Sequence, residues 1–351
     1  MTFQPDYRMM TAVLENRRPK RLPLYEHIIS PAAMEQILDV RIADLQYGNE
    51  ADIGNFFKHY CRFFCEMTYD TVSFEITITS LLPGHGAIMG GKPGPIQNRQ
   101  DFESYPWDQL EAIFWNTAEK QFSALSESLP DGMKAIGGIG NGVFELSADL
   151  VGMEYLAYLQ MDDPDLHARL YRKIGDLMYS LWKRFLEQFG EAFAVCRFGD
   201  DLGFKSGFLI SPATIRAHIL PQYQRVIQLI HTHNKPFLWH SCGCIFEIMD
   251  EMIEMGIDAK HSNEDQIAPF DKWIDLYGHK IGLLGGIDVN VLCQENPDAI
   301  KQKVLEDGRR FRKTARGFAL GSGNSIPDYV PAEGYLAMIE AVQTLREEST
   351  C

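Results

Sequence analysis

The stretch PFLWHSCGCIFEIMDEM, residues 236–252, runs a short apolar strand into an amphipathic helical pattern, and it places His240, Cys242 and Cys244 at the junction. A strand passing directly into a helix is half of a strand–helix–strand crossover, the unit that builds parallel sheets. Working outward in both directions, the same punctuation recurs. RLPLYEHI (21–28), TVSFEITI (71–78), MKAIGGIGN (133–141), AVCRFGDD (194–201), IDAKHSNED (257–265), KIGLLGGID (280–288) and RGFALGSGN (316–324) all read as strands separated by longer helical material. With residues 236–243 they make eight.

Eight alternating units predict an α/β fold of the (β/α)8 TIM-barrel kind, with the active site at the C-terminal ends of the strands. The competing arrangement is an open doubly wound sheet, but no Gly-rich dinucleotide fingerprint follows the first strand. Asp163–Pro164, Ser211–Pro212 and Asn296–Pro297 each predict a helix start, with a capping side chain before a proline whose missing N–H costs nothing at the first helical position. No internal repeat or linker divides the chain, so residues 1–351 are read as a single domain. The Gly/Pro-rich run LLPGHGAIMGGKPGP (81–95), continuing to about residue 102, is the clearest insertion; it is either a cover over the site or a surface excursion.

The chain carries 48 acidic and 33 basic residues, a formal charge of −15, which disfavours nucleic acid and anionic membrane surfaces as partners. The N-terminus MTFQPDYRMM lacks the apolar core of a signal peptide, and no uncharged run approaches the ~20 residues of a membrane span. A cytoplasmic location is expected. Seven cysteines, at 61, 65, 196, 242, 244, 293 and 351, are odd in number and scattered, which fits reduced thiols. Cys61 and Cys65 share one face of a helix-like segment and read as core.

The polar residues at the expected C-terminal strand ends are the candidate site. They are Glu26 and His27, Glu75, Asn141, Asp200 and Asp201, His240 and Cys242, His261 with Glu264, Asp288, and Ser322 with Asn324. In a strand, His240 and Cys242 point to the same face. Imidazole nitrogen and thiolate are the usual ligands of zinc, which keeps an open position in catalytic sites; the plainer alternative is a hydrogen-bonded histidine beside an inert thiol. Glu75 lies between Phe74 and Ile76, so its carboxylate must be paired, metal-bound or protonated.

The runs SGFLISPATIRAHILPQYQRVIQLIHTHNKPFLWHSCG, NGVFELSADLVGMEYLAYLQMDDPDL (141–166) and IGLLGGIDVNVLCQENPDAI (281–300) resemble the uroporphyrinogen decarboxylase superfamily, which also holds corrinoid (methylcobamide) methyltransferases. The resemblance covers most of the chain and implies the barrel. True decarboxylases carry arginines after the first strand, in a segment like MRQAGRY; the corresponding LYEHIISPAAM (24–34) has none, and Glu75 only approximates their catalytic aspartate. The methyltransferase branch is closer. There the resemblance implies zinc on His240 and Cys242, with a distal ligand at Ser322, where that branch has cysteine. A neutral serine is a poor ligand, which leaves a carboxylate such as Glu75 or Glu264, weak binding, or no metal.

The expectation is therefore a corrinoid-dependent methyltransferase or demethylase moving a methyl group between a small substrate and a methylcobamide. Glu75, Asp201 and His261 are its expected catalytic residues. Glu26, His27, Asn141, Asp200, Asp288, Ser322 and Asn324 would bind substrate or cofactor. A small-molecule methyl donor or acceptor is implied, a corrinoid protein is a possible partner, and a homodimer is left open. The alternatives are a uroporphyrinogen decarboxylase and a non-catalytic corrinoid or tetrapyrrole binder.

Overall fold

The computed structural model describes residues 3–90 and 92–348; Gly91 of the insertion and Cys351 among the cysteines lie outside them. The expected strands from the second to the eighth all overlap observed ones. In chain order they are β1 (Thr71–Thr77), β2 (Lys134–Gly140), β3 (Phe193–Gly199), then a short antiparallel hairpin of β4 (Gly203–Phe204) and β5 (Gly207–Phe208), then β6 (Phe237–His240), β7 (Ala259–His261), β8 (Gly282–Ile287) and β9 (Phe318–Ser322). Leaving out the hairpin, these pair in parallel in the order β1-β2-β3-β6-β7-β8-β9. The hairpin was not expected from the sequence.

The first expected strand, residues 21–28, differs. It carries only single-residue parallel bridges, Leu24 to Leu320 and Ile29 to Ile326. Tyr25 N donates to Leu320 O at 2.9 Å, and Leu320 N to Pro23 O at 3.0 Å. Toward β1 the tie is a side chain, Ser73 Oγ donating to the His27 carbonyl at 2.5 Å. The segment lies between the two edge strands, but no backbone ladder joins it to β1 among the described residues. What the ladders form is thus a curled seven-stranded parallel sheet, not the closed eight-stranded barrel expected. On the β9 side Pro23 has no N–H to extend the pairing, and on the β1 side a serine hydroxyl takes the His27 carbonyl.

The inner floor of the sheet is apolar. Ile136, Val195, Leu238, Ala259, Leu284 and Ala319 pack together, and Met10, Val13 and Leu14 of the helix Arg8–Leu14 close that N-terminal end. Polar chemistry is therefore confined to the opposite end. Outside, the expected capping holds. Asp163 accepts from Leu166 N at the head of the helix Pro164–Phe189, Ser211 from Thr214 N, and Asn296 from Ala299 N. Beyond Ser211 the chain makes a π turn, Ile215–Ile219, just before Pro221, which cannot supply an i→i−4 bond. Cys61 and Cys65 share the helix Glu50–Glu66, and Cys61 is buried.

The insertion after β1 is anchored on the helix Val143–Val151. The buried Asp149 accepts from Gly86 N and Ile88 N at 2.8 and 3.2 Å, and Ile96 N donates to Leu150 O. Among the described residues no helix is long and apolar enough to cross a membrane.

Candidate active site

Period-two alternation along β3, β6 and β7 sends Arg197, His240 and His261 to the inside of the sheet, above the apolar floor. All three are essentially inaccessible to solvent. His27, delivered by the bridging segment, stacks on His240 with ring centroids 3.7 Å apart. His27, His240 and His261 form one three-donor group, and Asp201, His240 and Cys242 a second.

The hydrogen bonds fix the tautomers. His261 Nε2 lies 3.0 Å from the Ser322 carbonyl, which can only accept, so Nε2 carries the proton. Burial first, then the Lys260 and Arg197 charges against the acceptor bond of Ser322, leaves His261 with a pKa lowered to about 3, so it is neutral and its Nδ1 is bare. That Nδ1 lies 2.8 Å from His240 Nδ1, which must donate. Burial, then His261 and Arg197, holds His240 well below its ordinary value, so it too is neutral and its Nε2 is an unprotonated acceptor. A chain of two histidines thus aims one unprotonated nitrogen at Cys242 Sγ, 3.5 Å away, and at Asp201 Oδ1, 3.7 Å away.

Those distances fit a metal. Ligand atoms at ~2.0–2.3 Å from a tetrahedral zinc stand roughly 3.3–3.8 Å apart. The Cys242 thiol is raised by burial and by Asp201, so it is protonated without a cation; Asn324 Nδ2 at 3.4 Å and Ser262 Oγ at 3.5 Å are placed to donate to the sulfur once it ionises. Cys242 N donates to Asp201 Oδ1 at 2.9 Å, tying the third donor to the second. The carboxylate beside His240 and Cys242 is therefore Asp201. Among the described residues neither Glu75 nor Glu264 forms a three-donor group with that pair.

The other expected residues are placed as follows. Glu75 receives Arg197 Nε at 3.0 Å and Nη2 at 2.8 Å, with His27 Nε2 3.9 Å away. Glu26 is wholly buried and takes Ser322 N at 2.8 Å and the Ser322 hydroxyl; burial outweighs both bonds and raises its pKa to about 8. The Ser322 side chain is thus held by Glu26. Asp200 caps the helix Val143–Val151 from outside, taking Phe144 N and Glu145 N at 2.8 Å each and the Tyr223 hydroxyl. A Cβ on Gly142 would lie 2.2 Å from the Asp200 side chain, so only glycine lets the two elements meet there. Asn141, at φ 67°, accepts from Thr79 and donates to Glu145 at 2.8 Å. Asp288 caps the helix Val289–Gln294 and accepts from Asp265 N.

The sequence reading missed Arg197 and Glu145. Arg197 was visible as a charge two residues beyond Val195 on the inward side of AVCRFG. Glu145 is half-buried beside Asp200 and Asp201 and accepts from Asp201 N at 3.4 Å; desolvation, then those two carboxylates, raises its pKa well above normal. Its only signal was its place four residues after Asn141, on a helix whose orientation the sequence leaves open.

Comparison with known proteins bears on the family and the fold. The uroporphyrinogen decarboxylase (URO-D) family matches residues 93–345. No curated protein matches the sequence. Among solved structures, a methyltransferase from Methanosarcina mazei is similar over 97% of this chain and 99% of its own, with a TM-score of 0.74 and 15% identity. A rutinosidase from Aspergillus niger, covering 98% of this chain and 94% of its own at 11% identity, has a TM-score of only 0.42. With some seven-tenths of its length matched, the chain belongs to the uroporphyrinogen decarboxylase (URO-D) family.

Proposed function

We propose that the protein is a corrinoid-linked methyltransferase or demethylase, with zinc held by His240, Cys242 and Asp201 and one position left for a small substrate. The observation that carries the reading is the histidine chain, which leaves His240 Nε2 bare between a thiol and a carboxylate. Similarity in fold to the M. mazei methyltransferase supports it.

Bound there, zinc lowers the pKa of a coordinated thiol or hydroxyl and so supplies a nucleophile at neutral pH. The protein's own groups do the rest. His261 and the Ser322 carbonyl fix the imidazole that faces the substrate. Asn324 and Ser262 hold the Cys242 sulfur in place, and the Glu75–Arg197 pair keeps the inner wall polar yet neutral. Arg197 is fully buried against Glu75, Tyr25 and Ser73. It is not available to hold the many carboxylates of a porphyrinogen, which counts against the decarboxylase reading.

The test is metal content together with turnover. Purified wild-type protein is expected to hold about one zinc per chain, to lose it in both His240→Ala and Cys242→Ala, and to move a methyl group between methylcobalamin and a thiol. No zinc after supplementation, or methyl transfer intact in both variants, refutes the assignment.

A further inference from the structure

At the opposite end of the strands, Arg18, Arg309, Arg312, Lys313 and Arg316 line one cavity of about 320 Å³, with Glu348 as its carboxylate. Five cations against one acid is a local reversal of sign on a chain carrying 48 acidic and 33 basic residues. Basic residues in the last turn of a helix are ordinary, since they answer the partial negative charge there. That accounts for Arg312 and Lys313, which end the helix Pro297–Thr314.

It does not account for the others. Arg18 comes from the far end of the chain and places Nη2 3.4 Å from the Lys313 carbonyl. Arg316 follows the helix by two residues and faces the same hollow. Two of the five are held in fixed orientation: Arg309 by a two-point pair with Glu348, at 2.6 and 3.1 Å, and Arg312 by the Leu345 carbonyl at 2.9 Å. Among the described residues no ion pair joins Arg18, Arg312, Lys313 or Arg316 to a carboxylate, Glu348 being paired with Arg309. Burial, and next the like charge of Arg18, lowers the pKa of Arg312 against the opposing pull of Glu348. Gathering like charges without counter-charges is unfavourable unless an anion joins them.

We propose that this cavity binds a small phosphorylated compound, with its phosphates among the guanidinium groups of Arg18, Arg312 and Arg316 and the ammonium of Lys313. Guanidinium forks match phosphate oxygens two at a time. Phe318 and Leu22 form an apolar floor for an organic portion. The cavity sits at the small end of the range for ligand pockets and accommodates a diphosphate or triphosphate. A nucleic-acid backbone would extend onto an acidic surface that repels it. The site lies away from His240 and stands whether or not the methyl-transfer assignment does.

The experiment is calorimetric titration of wild type and of Lys313→Ala/Arg316→Ala with pyrophosphate, ATP and sulfate at low ionic strength, with no turnover assay involved. Saturable binding of pyrophosphate or ATP is expected, at least tenfold weaker in the double variant and weakened by added salt. A preference for ATP over pyrophosphate places the organic portion on Phe318 and Leu22, whereas equal affinity confines recognition to the phosphates. Both residues are exposed, so the variant keeps its fold, which a melting curve checks. The proposal is overturned by no binding, by undiminished binding in the double variant, or by sulfate binding as tightly as pyrophosphate.

Discussion

Glu75 on β1 and Arg197 on β3 stand 122 positions apart and form a buried ion pair inside the sheet, with Arg197 Nη2 and Nε both on Glu75 Oε2. The other arm of the guanidinium reaches Tyr25 and Ser73, at 2.9 and 2.7 Å. One side chain therefore links β1, β3 and the bridging segment. It supplies from within the connection that no backbone ladder makes between that segment and β1.

Removing one partner leaves a buried charge uncompensated. Glu75→Ala is expected to cost about 3–5 kcal/mol of unfolding free energy, and Glu75→Gln less, because the amide oxygen still accepts from Arg197. Replacing both partners, as Glu75→Leu with Arg197→Met, should recover much of the loss. Urea unfolding of the four proteins decides it, and equal stability of wild type and Glu75→Ala would show that the pair contributes nothing.

Metal retention should depend on His261 but not on the Ser322 hydroxyl. His261→Leu removes the acceptor for the His240 Nδ1 proton and is expected to weaken zinc binding about 10–100-fold. Ser322→Ala keeps the carbonyl to which His261 donates, so zinc affinity should stay within about twofold of wild type while stability falls through the loss of a partner for Glu26. Competition with a chromophoric chelator measures both. The reverse ranking would make Ser322 a ligand.

Stability should fall as pH rises, through Glu26. Its folded pKa, about 8, is above the ordinary 4.5, so the folded protein keeps a proton that the unfolded chain gives up. The stabilisation is complete below about pH 4.5 and lost through about pH 8. Over that window wild type should lose on the order of a few kcal/mol relative to Glu26→Gln, which cannot titrate. Thermal melts at closely spaced pH values give the comparison, and parallel curves for the two proteins would show that Glu26 is ionised in the fold.

The sequence by itself determined the alternation of strands and helices, the three proline-marked helix starts, and the pairing of His240 with Cys242, because each depends on residues close together in the chain. Period-two geometry requires a histidine and a cysteine two apart in a strand to face the same way, and a capped proline starts a helix wherever that helix packs. Only the tertiary structure decided what surrounds them. Asp201 and not Glu75 is the carboxylate beside the pair, because Arg197 had already claimed Glu75. The residue at 322 acts through its backbone carbonyl, because Glu26 holds its hydroxyl. The first strand is reduced to bridges, because Pro23 cannot donate and Ser73 takes the His27 carbonyl. Each of these outcomes is a competition among groups distant in sequence for one partner, settled by distances that exist only once the sheet has curled.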